Sequence, residues 1–147
     1  MRRINIYAET KPQSFKRAGR AVGYVLELVD IEGTTVATAT NWEWQVSTWN
    51  EGILQAFVSA LGRLKSPCEV HLYTQNRTIL DLFDNNLDKW MQTGYRNSRG
   101  QEIRNAQLWK QLAGACRGHL MLTEETHGAV HPFYHWMMDQ MDKEFSA

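Results

Sequence analysis

Cys68-Glu69-Val70-His71-Leu72-Tyr73-Thr74-Gln75, residues 68–75, is the stretch on which the fold turns. It follows Ser66-Pro67, which ends a helical run, and it reads as a strand over Cys68–Thr74. The strand delivers Gln75, a neutral amide, to its carboxyl end. An amide oxygen has no net charge and serves hard divalent cations poorly. Upstream, Thr48-x-x-Glu51 fits a capping box that opens a helix. Ile53, Phe57, Leu61 and Leu64 recur at helical spacing and mark its buried face, with Gly62 as a weak point. Before that helix lie three runs with strand character: Ile4–Glu9, Val22–Val29 and Thr34–Thr40. Asp30-Ile31-Glu32-Gly33 is the turn between the last two.

Downstream, Asn76 is placed to cap a helix whose stripe is Ile79, Leu80, Phe83, Leu87 and Trp90. Asp81, Asp84 and Asp88 fall on another face of it and read as a solvated acidic face. Tyr95–Gly100 is a polar, basic loop. Asn105 is the expected cap of a third helix with Leu108, Trp109 and Leu112, closed by Gly118. Residues 119–124 form a short fifth strand, and Pro132 opens the last helix. The expected order is βββαβααβα, in an α/β class, as one domain over residues 1–147.

The chain has 147 residues, enough to bury roughly 70% of the surface its unfolded form exposes. Formal charge is zero, so net charge argues for neither nucleic acid nor membrane. The charge is unevenly spread. Residues 1–20 hold six Lys/Arg against Glu9 alone, and residues 89–105 hold Lys89, Arg96, Arg99 and Arg104 against Glu102. Such patches suit phosphate contacts and also occur as solvated surface. Cys68 and Cys116 lack metal-type spacing and read as buried free thiols of a reducing compartment. Arg2-Arg3 leads into a strand pattern, so no secretory signal is expected, and the longest apolar run, Ala21–Val29, is too short to span a bilayer. These features predict a cytoplasmic protein.

The order of elements and several short motifs resemble the type 1 ribonuclease H family. Ile6-Tyr7-Ala8-Glu9 is similar to its first strand, and Cys68-Glu69-Val70 through Tyr73-Thr74 to its fourth. Trp90-x-x-x-Gly94-Tyr95 and Asn105-x-x-Leu108-Trp109 resemble the ends of its basic protrusion, and His131-Pro132 the loop before its last helix. The resemblance implies a ribonuclease H-like, five-stranded mixed sheet with helices on both faces. It also implies four carboxylates holding two divalent metals that cut the RNA strand of an RNA/DNA hybrid. Those four positions fall on Glu9, Ile53, Gln75 and Met138. Asp139 is one residue from the last of them, and a one-residue gap in the preceding loop would bring it into register. Glu9 and Asp139 are therefore the candidate catalytic and metal-binding residues.

His127 matches the family's mobile loop histidine or is an exposed loop residue. A zinc reading of His127, His131 and His135 is set aside, because Pro132 interrupts the pair and a third ligand is missing. The resemblance implies nucleic-acid contacts from Asn50, Asn76, Trp90, Tyr95, Arg96, Arg99 and Arg104. Three functions remain open: a pseudoenzyme that binds RNA/DNA hybrid or duplex, a divergent nuclease, and an adaptor module using Trp42, Trp44 and Trp49. No cofactor is expected under the first; Mg²⁺ or Mn²⁺ belongs only to the second. No protein partner is specified.

Overall fold

The computed structural model describes residues 1–145, two short of the end of the expected domain. Its centre is a five-stranded mixed sheet in the order β3-β2-β1-β4-β5. The strands are β1 (Arg2–Lys11), β2 (Ala18–Val29), β3 (Thr35–Ser47), β4 (Cys68–Tyr73) and β5 (Leu120–Thr123). The first three form an antiparallel meander, while β4 and β5 run parallel to β1. The helices are α1 (Trp49–Leu61), α2 (Arg77–Asn85), α3 (Leu87–Thr93), α4 (Ala106–Ala115) and α5 (Tyr134–Phe145).

Strand alternation sorts β1 between two cores. Ile4, Ile6 and Ala8 enter the larger core with Ile53, Leu54 and Phe57 of α1 and Trp109 of α4. Burying side chains of this size favours folding by about 1.5–3 kcal/mol each. Tyr7 joins a smaller core with Val25, Met137 and Met141, beneath α5.

The capping box of α1 is formed as expected: Glu51 N–H donates to Thr48 Oγ1 at 3.1 Å, and Thr48 N–H donates to Glu51 Oε1 at 2.8 Å. The helix ends at Gly62 rather than continuing to Ser66-Pro67, and Leu64 packs from the following turn. The expected second helix is two. Asn86 has φ −123°, outside helical geometry, and divides α2 from α3 although the apolar stripe continues across it. Asn105 does not cap α4 through its side chain; its backbone is left-handed at φ 60°. Pro132 lies in a turn, and α5 starts two residues later.

β3 runs much further than Thr40. Trp42 lies opposite Gly23 of β2, and Trp44 lies opposite Ala21 with its ring reaching over Gly19. A Cβ on Gly23 would fall 2.1 Å from the Trp42 ring, and one on Gly19 would fall 2.7 Å from the Trp44 ring. The glycines are flat ground on which the indoles lie. Cys68 is buried and Cys116 half-buried, both as free thiols. Burial pushes the Cys116 thiol up to about 12.

Candidate active site

The parallel register pairs Tyr7 with Tyr73, so Glu9 and Gln75 emerge side by side two residues later. The Gln75 backbone N–H points at the Glu9 carboxylate, 3.0 Å from Oε2 and 3.3 Å from Oε1. His131, in the turn before α5, supplies the second donor: its Nε2 lies 2.7 Å from Glu9 Oε2. Phe133 N–H donates to His131 Nδ1 at 3.3 Å. Nδ1 is thus the acceptor, and the proton sits on Nε2, where it meets the carboxylate. Both side chains are sealed, at 0% exposure for Glu9 and 2% for His131.

Burial raises the Glu9 pKa above the usual carboxylate range; hydrogen bonds from His131, Gln75 and Thr74 pull the other way and do not cancel it. The residues here do not fit a pair of hard divalent cations, which need several anionic oxygens open to them. The Glu9 oxygens are already engaged by N–H donors, and among the described residues no three His, Cys, Asp or Glu side chains gather to hold a metal.

The other expected ligands are scattered. Ile53 is fully buried in the α1-side core. Met138 is half-buried and packs on the smaller core. Asp139 is solvent-exposed, about 200° round α5 from the inward-facing Met137. Glu9 is thus sealed while Asp139 is open to solvent. His127 is exposed, with φ 51°, and its N–H donates to Glu125 Oε1 at 2.9 Å. The histidine that reaches Glu9 is instead His131. The sequence marked His131 only as part of the His-Pro pair, not as a partner of Glu9.

The expected nucleic-acid contacts divide into two groups. Asn76 is fully buried: its Oδ1 caps Ile79 N–H at 3.1 Å and its Nδ2 donates to Asn50 Oδ1 at 2.8 Å. It is a cap and a brace, with no atom free for phosphate, while Asn50 is half-buried beside it. Trp90 packs on Trp109 with ring centroids 5.2 Å apart, against the core. Tyr95 is 7% exposed, and Lys110 Nζ covers its ring at 5.7 Å. Tyr95 belongs to the core, and Trp90 is half-buried against it. Arg96, Arg99 and Arg104 are exposed. Arg96 Nη1 donates to Gly100 O at 2.9 Å, which closes the turn that carries Arg99.

A sequence profile of the RNase H family matches residues 3–128. The chain belongs to the ribonuclease H family. Among curated relatives, the Ribonuclease H of Symbiobacterium thermophilum is 39% identical over 74 residues, 50% of this chain and 50% of that protein. The chain's matches span about half the length of the curated relatives. Among solved structures, a type 1 RNase H with the type 2 active-site motif aligns at TM-score 0.66 and 20% identity, covering 87% of this chain and 65% of that one. A foamy viral protease-reverse transcriptase in complex with double-stranded DNA aligns at TM-score 0.66 and 14% identity, covering 99% and 95%. The ribonuclease H fold of the chain, with its β3-β2-β1-β4-β5 sheet, agrees with both neighbours. Among the described residues no helix is long and apolar enough to cross a membrane.

Proposed function

We propose that this ribonuclease H-family protein binds RNA/DNA hybrid or another nucleic-acid duplex and does not hydrolyse it. One observation carries the reading: the Glu9 carboxylate is closed off by the Gln75 N–H and by His131 Nε2 in the place where the family holds metal. By the resemblance drawn from the sequence, Ile53, Gln75 and Met138 fall where three further carboxylates are needed. The surface that would hold a duplex keeps its cations in Arg96, Arg99 and Arg104, and keeps Asn50 near the sheet end. The foamy viral neighbour engages DNA, which supports a nucleic-acid role for this surface. We also propose that residues 1–147 are one domain and that the protein is cytoplasmic, as its two unpaired cysteines favour. No resident cofactor is part of this reading.

The test is a titration of labelled hybrid, duplex and single strand at low salt, run beside a cleavage assay in Mg²⁺ and in Mn²⁺. The expected result is affinity without cutting. Three phosphate contacts give a slope of log K against log salt of about 2.7 in magnitude. Replacing Arg96, Arg99 or Arg104 by Ala lowers that slope by about one each, uniformly across sequences. Absence of affinity at low salt rejects the binding reading. The names of the curated relatives favour a second reading, a divergent nuclease. Cleavage that Glu9→Ala abolishes would establish it.

A further inference from the structure

An exposed aromatic near Asn50 lies in the β1–β2 loop, packed on Trp49. Phe15 sits on that loop with 58% of its surface exposed. An exposed ring on a loose loop would mean little, but this loop is held from inside. Arg20 is fully buried and donates four hydrogen bonds to main-chain carbonyls: Ser47 O at 2.8 Å, Pro12 O at 2.6 Å, Ser14 O at 3.1 Å and Lys16 O at 2.6 Å. Three of the four acceptors bracket Phe15. The planar fork of a guanidinium fixes direction as well as distance. Arg17 adds an outer tie to Glu51 at 2.7 Å.

The inner edge of Phe15 rests on Trp49, with centroids 5.1 Å apart and planes at 55°. Trp49 opens α1 and is followed by Asn50, whose Oδ1 accepts from Asn76. A continuous strip thus runs from Gln75 through Asn76, Asn50 and Trp49 to Phe15. The surroundings are positive: residues 11–20 contain Lys11, Lys16, Arg17 and Arg20 and no acid. Lys16 is exposed and has no acidic partner among the described residues. A rigid, outward ring beside a free cation is the arrangement by which proteins hold an unpaired base and its phosphate.

We propose that Phe15 is a stacking platform for one unpaired base of a bound nucleic acid, with Lys16 meeting the adjoining phosphate. This rests on the nucleic-acid binding proposed above and adds to it a preference for ends, overhangs or gaps over fully paired duplex.

The experiment compares a blunt RNA/DNA hybrid with the same hybrid bearing a three-nucleotide overhang that contains 2-aminopurine. Wild type is expected to bind the overhang form about tenfold more tightly and to quench the 2-aminopurine. Phe15→Ala should lose both the preference and the quenching while its affinity for the blunt hybrid stays unchanged; Phe15→Trp should restore both. Equal affinity of wild type for the two forms overturns the inference, as does a preference that survives in Phe15→Ala. Failure of wild type to bind either form rejects the binding reading itself, and the platform with it.

Discussion

Two glutamates are buried on the same face of the central sheet, and their pKa values are shifted in opposite directions. Glu27 accepts from Asn5 Nδ2 at 3.0 Å, Tyr7 Oη at 2.8 Å and Thr35 Oγ1 at 2.5 Å. Burial pushes its pKa up, but the hydrogen bonds from Thr35, Asn5 and Tyr7 outweigh it and hold the carboxyl below the usual range. At Glu9 the balance reverses, and burial wins over His131 and the Gln75 N–H. Each carboxylate is reached by three hydrogen-bonding groups, and the difference lies in the deeper burial of Glu9. Glu27 is a structural anion that its neighbours are built to satisfy. Glu9 is a carboxylate that its neighbours only partly satisfy, at the position where the family places catalytic charge.

The contrast can be broken most forcefully at Glu27. Glu27→Ala leaves three donors without their acceptor and is expected to cost about 3–4 kcal/mol in urea unfolding. A cost under about 1 kcal/mol would show that the three bonds do not define the site. His131→Ala comes next, at about 3 kcal/mol, because it leaves the Glu9 charge buried with one donor fewer. Its loss should be larger at pH 8 than at pH 5, since removing the imidazole drives the Glu9 pKa still higher; Glu9→Gln in the same chain should recover most of it. A pH-independent loss would mean that the imidazole contributes packing alone.

The smallest effect is the most diagnostic. A pKa raised on folding means the native state binds the extra proton, so stability falls as pH rises from the ordinary glutamate range through Glu9's folded value. Glu27 has the opposite sign, and stability is lost as pH falls from that range through its own folded value. Glu9→Gln should therefore flatten the upper limb alone, gaining about 1 kcal/mol at pH 8 and leaving the acid limb intact. Thermal unfolding across pH 3–9 (~0.5 unit steps) would separate the two limbs, and an unchanged upper limb would remove Glu9 as its source.

These features differ in how far the sequence discloses them. The Thr48–Glu51 box and the Asn76 cap were legible because each is closed within a few residues. Gln75 at a strand end was legible because strand register carries it there. The Glu9–His131 contact joins residues 122 apart in sequence, and no local pattern announces such a pair. The break at Asn86 was hidden because apolar spacing continues on both sides of it. The length of β3 depended on glycines in a different strand, Gly19 and Gly23, which make room for Trp44 and Trp42. Tyr95 reads as a surface aromatic within its basic segment; that it is buried depends on α4, which brings Lys110 over its ring.

Arg20 grips the β1–β2 loop through main-chain oxygens, and every residue has one of those. The main-chain path of residues 12–16 is therefore held in large part from outside the loop, by one side chain in β2. The loop is in effect an interchangeable cartridge in a fixed socket. Relatives could exchange Phe15 for a charge or a smaller group and alter what they hold without rebuilding the scaffold, and a designer could graft a new contact at the same place.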